Sequence, residues 1–456
     1  MAEGSLYGEL FADREMAAVL DDRAALQGML DFEMALARAE AETGVIPAAA
    51  ADIIAAHCKA ELYDIAAIGK AATLAGNPAI PLVKALTARV AAADAEASKW
   101  VHYGATSQDV IDSGQAQQYR AAQDLILARS ARLAHALAEL VREHRRTPMI
   151  GRTFLQHAVP ISFGLKAANW LSPIVSFHDD FMIGGESAHQ LGGAAGSLAS
   201  LGDKADAVSE AFARIMPSIG AVRVPWHTQR RRPARIATEL GLLLGHLGKM
   251  AGDIALMAQT EVGELAEPEA PGKGGSSAMP HKRNPVLCTL ILTAAKRAPG
   301  LVATMLAAMP QEHERAMGGW HAEWPTLREL FLVAGGALNH AVALVEGLQV
   351  FPEQMQYNLD LTNGLVMAER VSLALTQTIG RGEAHHLLEE ASRDCLASGR
   401  HLKDVLADHP TLAGRLTGEE LDDLFDPTTY RGATDAIIDR ILVLYEEERE
   451  YMSGNG

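Results

Sequence analysis

The stretch Pro271-Gly-Lys-Gly-Gly-Ser-Ser-Ala-Met-Pro-His-Lys-Arg-Asn-Pro285 packs more chemical groups together than any other part of the chain. Gly272, Gly274 and Gly275 give the backbone a freedom that no other residue allows. Two hydroxyls follow at Ser276 and Ser277, then the cations Lys282 and Arg283. Asn284-Pro285 reads as an N-cap followed by proline at the first helical position. A glycine-hinged loop that ends in cations and a new helix N-terminus is equipped to hold an anion and act on it. A plain Gly/Ser/Pro surface linker is the alternative, and the density of functional groups argues against it.

Composition narrows the classes. The chain has 456 residues, enough for two or three domains; 48% are hydrophobic and only 5% aromatic, with alanine and leucine dominant, a balance that suits helices. A formal charge of −17 argues against nucleic acid as a partner, and any anionic substrate must be met by locally clustered cations. The three cysteines, Cys58, Cys288 and Cys395, are widely spaced and odd in number, which points to reduced thiols rather than a disulfide framework. No basic-then-apolar leader opens the chain, and the apolar run from Ile236 to Ala258 is broken by Glu239, His246, Lys249 and Asp253. The expectation is a cytoplasmic protein without membrane contact.

Working outward, short amphipathic segments fill the chain to about residue 110, one of them closing at Thr43-Gly44. Long helical periods follow at roughly 111–146, 161–182, 203–217, 233–265, 286–309 and 325–349. After about residue 366 the segments are short again. No strand-turn-strand alternation is evident. The expectation is an all-α protein in three parts: an N-terminal helical domain (1–110), a central long-helix bundle (111–365) and a C-terminal helical domain (366–456). In the fourth period Gly241, Gly245, Gly248 and Gly252 recur on one line, each costing about 1 kcal/mol relative to alanine. That predicts a closely packed neighbouring backbone, with the bundle shared between subunits.

The pattern G-S-S-x-M-P-x-K-x-N-P resembles the signature loop of the fumarase/aspartase superfamily. The resemblance implies that Ser276 is the catalytic base, that Ser277 contacts substrate, and that Lys282 and Asn284 steady the carboxylate that becomes an enolate-like dianion. It also implies a cofactor-free, metal-free site and a homotetramer whose active sites are shared among subunits. His102-Tyr-Gly-Ala-Thr-Ser-Gln-Asp109 opens a helix that Thr106 or Ser107 can cap; it is similar to the first signature region, which would set His102, Thr106 and Ser107 against a substrate carboxylate. Gly151-Arg-Thr-Phe-Leu-Gln-His-Ala-Val-Pro-Ile-Ser-Phe-Gly164 looks like the second, with Thr153 and Gln156 on substrate.

Departures from the pattern sort the branches. Fumarase, aspartase and adenylosuccinate lyase branches carry a histidine after that threonine; this chain has Phe154, which cannot transfer a proton. His157 is a weak replacement, since three residues on it should point elsewhere. Gly76-Asn-Pro-Ala-Ile-Pro81, Pro225-Trp-His-Thr-Gln229 and Gln311-Glu-His-Glu-Arg-Ala-Met-Gly-Gly-Trp-His-Ala-Glu-Trp324 look like the 3-carboxy-cis,cis-muconate cycloisomerase branch. Arg315 in the last of these is a candidate partner for a substrate carboxylate, because its planar fork binds a carboxylate through two hydrogen bonds at once. The aromatic residues of these stretches could be core, but Arg230, Glu314, Arg315 and Glu323 give them charged company near a site. His189 to Gly196 reads as a tight turn and not a phosphate loop. The resemblance therefore implies a small polycarboxylate substrate cyclised to a lactone in aromatic acid breakdown. The alternative is an adenylosuccinate- or argininosuccinate-type lyase eliminating fumarate.

Overall fold

The structure, a computed structural model, describes residues 6, 8, 10, 11, 13–184, 188–216, 224–269, 279, 282–413 and 415–452. Helices dominate it. The elements needed below are α1 (Asp22–Glu42), α2 (Ser107–Glu143), β1 (Pro148–Thr153), β2 (Gln156–Ser162), α3 (Phe163–Gly184), α4 (Arg231–Met257), α5 (Val286–Ala307) and α6 (Gly319–Glu346). The long periods in the sequence thus fall on real helices. One ran too far: α4 stops at Met257, where Glu264 N–H turns back to Met257 O (2.9 Å) through Gly263 at φ 62°, and Leu265–Ala266 then pairs with Gln349–Val350.

Residues group into two compact units. The first holds 1–129, 177–245 and 293–339; the second holds 130–176, 246–292 and 340–456. Residues of α2 to α6 are divided between them.

In the first unit α1 is started by Asp21, whose side chain accepts Ala24 N–H at 2.7 Å, and ended at Thr43 with Gly44 in the left-handed region. Its apolar face (Leu26, Met29, Leu30, Leu36) joins a core that includes Phe212, whose ring meets Phe32 edge-on at 5.3 Å. A close backbone approach lies here: a Cβ at Gly28 would lie 2.8 Å from Gly114 O on α2.

Glycines of the α4 line meet little of their own chain. The Val302 side chain, not backbone, stands 2.7 Å from a Cβ built at Gly241, and among the described residues nothing lies within 4 Å of one at Gly245. By length and apolar composition α4, α5 and α6 could each cross a membrane. Leu240, Leu243, Leu244, Leu247 and Ala251 of α4 are nevertheless fully buried within the protein.

The second unit contains the feature that the sequence reading missed. β1 and β2 form an antiparallel hairpin with Thr153 opposite Gln156. Its two-residue turn is Phe154-Leu155, with φ 49° and 63°. Positive φ at both central residues is the geometry of a type I′ turn, whose usual residues are Asn and Gly. Neither is present, so the turn signal was absent. The C-terminal part has its own core of Val371, Leu375, Leu387, Leu402 and Leu406.

Candidate functional site

In the first unit the first signature region sits at the head of α2. Asp109, fully buried, takes four donors: Thr106 N–H (3.1 Å), Gly192 N–H and Gly193 N–H (2.9 Å each) and His227 Nε2 (2.8 Å). The glycine turn of 189–196 is therefore a tight turn clasping a carboxylate of its own chain. A Cβ at Gly192 would fall 2.8 Å from the His227 ring, so only glycine lets this clasp close. One turn later Asp112 accepts from Arg230, Gln190 Nε2 (2.7 Å) and Trp320 Nε1 (2.9 Å). Arg230 lies 4.7 Å over the Trp226 ring and also meets Glu323 at 2.6 Å. Burial pushes Glu323 above its usual range, with Arg230 pulling the other way.

Three stretches that stood apart in sequence are thus joined through buried ions. Trp226, His227 and Trp320 are buried parts of this scaffold. A small pocket opens beside it, lined by Asp112, Tyr119, Trp226, Arg230, Glu323 and Leu327 among others.

At the outer edge of the scaffold, His102 has φ 60° and its Nδ1 lies 2.6 Å from Glu33 on α1. Thr106 and Ser107 are half-buried at the start of α2. Arg315 is exposed, bonds Gln108 Oε1 at 3.3 Å and Ala194 O at 3.1 Å, and so joins the same neighbourhood.

The second unit carries the other candidates. Thr153 and Gln156 flank the exposed hairpin tip. His157 faces Arg152 across the hairpin; burial and then the Arg152 charge hold its pKa down, so it stays neutral at pH 7. Arg152 itself is paired with Glu264 at 2.7 Å. Ser276 and Ser277 lie outside the described residues. Lys282 is exposed and Asn284 half-buried, just before α5. Arg283 is engaged by Glu269 (2.9 Å) and Gln349 (3.0 Å).

One expectation is corrected at α5. Its first amides were to meet a substrate anion, but Glu267 already occupies them: Oε2 accepts Leu287 N–H at 3.1 Å and Oε1 accepts Cys288 N–H at 2.8 Å. A carboxylate of the chain satisfies the helix end. Neither unit alone holds all the candidates.

Glu33, Asp112 and Glu267 were missed. Glu33 left a signal, because a charge interrupts the apolar stripe of α1 between Leu30 and Leu36. Among the described residues no group of three His, Cys, Asp or Glu side chains could hold a metal.

The pattern of the family described as Lyase matches residues 11–300, and that of Adenylosuccinate lyase C-terminus matches residues 364–441. A 3-carboxy-cis,cis-muconate cycloisomerase of Bradyrhizobium diazoefficiens is 50% identical over 97% of this chain and 98% of its own. One from Pseudomonas aeruginosa is 50% identical over 96% and 95%. The crystal structure of a 3-carboxy-cis,cis-muconate lactonizing enzyme from Pseudomonas putida superposes with a TM-score of 0.92 at 47% identity, covering 97% of this chain and 99% of that one.

Proposed function

The chain belongs to this lyase family with the fumarase/aspartase fold, and on that premise we propose that it is a cycloisomerase converting 3-carboxy-cis,cis-muconate to a carboxymuconolactone in aromatic acid breakdown. The observation that carries the reading is the half-identity, over nearly the full chain, to enzymes of that name.

The chemistry suits the residues. One substrate carboxylate oxygen adds to a conjugated double bond, forming the lactone C–O bond. The π electrons move onto a second carboxylate as an enolate-like dianion, and a proton must then reach the carbon beside it. Ser276 delivers that proton. Lys282 and the Asn284 amide hold the dianion, a donor of this kind being worth about 3 kcal/mol in a closed site. His102, Thr106, Ser107, Ser277, Thr153, Gln156 and Arg315 bind the remaining carboxylates. The attacking group is already an oxyanion and needs no acid, which makes Phe154 intelligible where an amine-expelling lyase would want a donor.

The exposed tip of the hairpin, flanked by Thr153 and Gln156, supports an active site completed across a homotetramer, and the protein is assigned to the cytoplasm. Loss of diene absorbance on mixing with carboxymuconate tests the activity, and Ser276→Ala should abolish it. Full-speed turnover by that variant would refute the assignment of the serine.

A further inference from the structure

We propose that Glu33 is a positioning residue: from the buried face of α1 it fixes the His102 ring so that its free edge receives a substrate carboxylate. The ligand class rests on the carboxymuconate reading above; the pair itself does not.

Glu33 sits among Leu26, Met29, Leu30 and Leu36, with its side chain fully buried. A carboxylate there is costly unless a partner compensates it, and a well-packed apolar residue would serve the fold as well or better. Its bond to His102 Nδ1 is short, 2.6 Å, and spans 69 residues of sequence. Holding the ring there also requires left-handed backbone at His102, a conformation that non-glycine residues seldom adopt and that is retained where function demands it.

The pair is sealed on one side only. Glu33 is 0% exposed, but 19% of the His102 side chain is open. With Nδ1 committed to Glu33, the other ring nitrogen, Nε2, has no hydrogen-bond partner among the described residues. The carboxylate therefore fixes which nitrogen faces outward and how the ring is turned.

The surrounding charges favour the cation. Burial by itself lowers the affinity of His102 for a proton, but the charge and hydrogen bond of Glu33, with Asp109 of α2 adding, outweigh it and raise its pKa. Glu40, two turns further along the same face of α1, has its pKa pushed up to about 9 by burial and by Glu33, so at neutral pH it adds no charge. Cys58 is likewise held as the thiol by burial and by Glu33 and Asp31, against Arg38.

The test compares wild type with Glu33→Gln, His102→Asn and the double variant, each first checked by thermal melting. KM and kcat are measured on carboxymuconate, and Kd for propane-1,2,3-tricarboxylate by calorimetry, from about pH 6 to about pH 9. Wild type should bind the tricarboxylate and lose affinity as pH rises through the His102 pKa. Glu33→Gln should move that loss to lower pH, raising KM and Kd about tenfold near pH 8 and far less near pH 6, with kcat changed much less. His102→Asn should bind weakly without this pH dependence, and the double variant no more weakly. Wild-type affinity and pH dependence in Glu33→Gln would overturn the proposal, as would a Glu33→Gln defect that adds in full to that of His102→Asn. Should Glu33→Gln fail to fold, a His102→Asn chain that keeps the alkaline loss overturns it. Absent carboxymuconate turnover with the pH-dependent tricarboxylate binding intact would sink the cycloisomerase reading and leave the pair standing.

Discussion

Arg230 and Glu323, 93 residues apart in the chain, face each other with three nitrogen–oxygen contacts of 2.6 to 3.1 Å, and the same guanidinium reaches Asp112 at 2.9 Å. One cation thus bridges buried carboxylates from α2 and α6. Such an arrangement adds little stability over a well-packed apolar cluster, yet breaking it leaves charges that have nowhere to go. Arg230→Met should therefore cost about 3 to 5 kcal/mol and lower the melting temperature sharply or yield insoluble protein. Adding Asp112→Asn and Glu323→Gln should recover part of the loss. Unchanged melting in the single variant would contradict this account.

The sequence made much of this legible and left some of it hidden, for physical reasons. Helical periodicity located α2, α3, α5 and α6 because their buried residues recur every three to four positions. The hairpin escaped because Phe154-Leu155 lacks the turn chemistry that marks a two-residue loop. Arg230 and Glu323 could be suspected from their neighbours, but Asp112 looked like any polar residue of a helix. Glu267 escaped for another reason: its role depends on amides 20 and 21 residues further on, a relationship that only the fold creates.

That turn carries a prediction. Phe154 is 100% exposed and Leu155 73% exposed, so within the chain no packing offsets their left-handed backbone. Residues in such conformations cost on the order of 1 to 3 kcal/mol each. Replacing the pair by Asn-Gly, through Phe154→Asn and Leu155→Gly, should raise the melting temperature by several degrees, for a gain of about 1 to 2 kcal/mol. A lowered melting temperature would instead indicate that a neighbouring copy packs on these side chains.

Glu40 predicts a pH dependence of stability. It is fully buried, and neither side-chain oxygen has a hydrogen-bond partner among the described residues. In the unfolded chain it loses its proton near the ordinary 4.5, while in the folded chain it keeps it to about 9. Between those values the unfolded state binds fewer protons, so stability falls as pH rises. Glu40→Leu should remove that slope: it should be more stable than wild type at pH 7 to 8, by about 3 to 5 kcal/mol, and gain much less near pH 4. Parallel curves for the two proteins across that range would rule this out.

Glu267 links stability to the proposed chemistry. Its two oxygens hold the Leu287 and Cys288 amides, and Val286 N–H bonds Asn284 O at 2.9 Å, so the first turn of α5 and the segment bearing Lys282 and Asn284 are fixed together. A helix-capping carboxylate of this kind contributes about 1 to 2 kcal/mol. Glu267→Ala should lower stability by that amount and, because Asn284 precedes α5 by two residues, reduce kcat by a larger factor than it raises KM. Parallel kinetics and melting of Glu267→Gln, which keeps one acceptor, should fall between the two. If Glu267→Ala lost stability but kept full kcat, the cap would serve the helix alone and the placing of Lys282 and Asn284 would have to come from elsewhere.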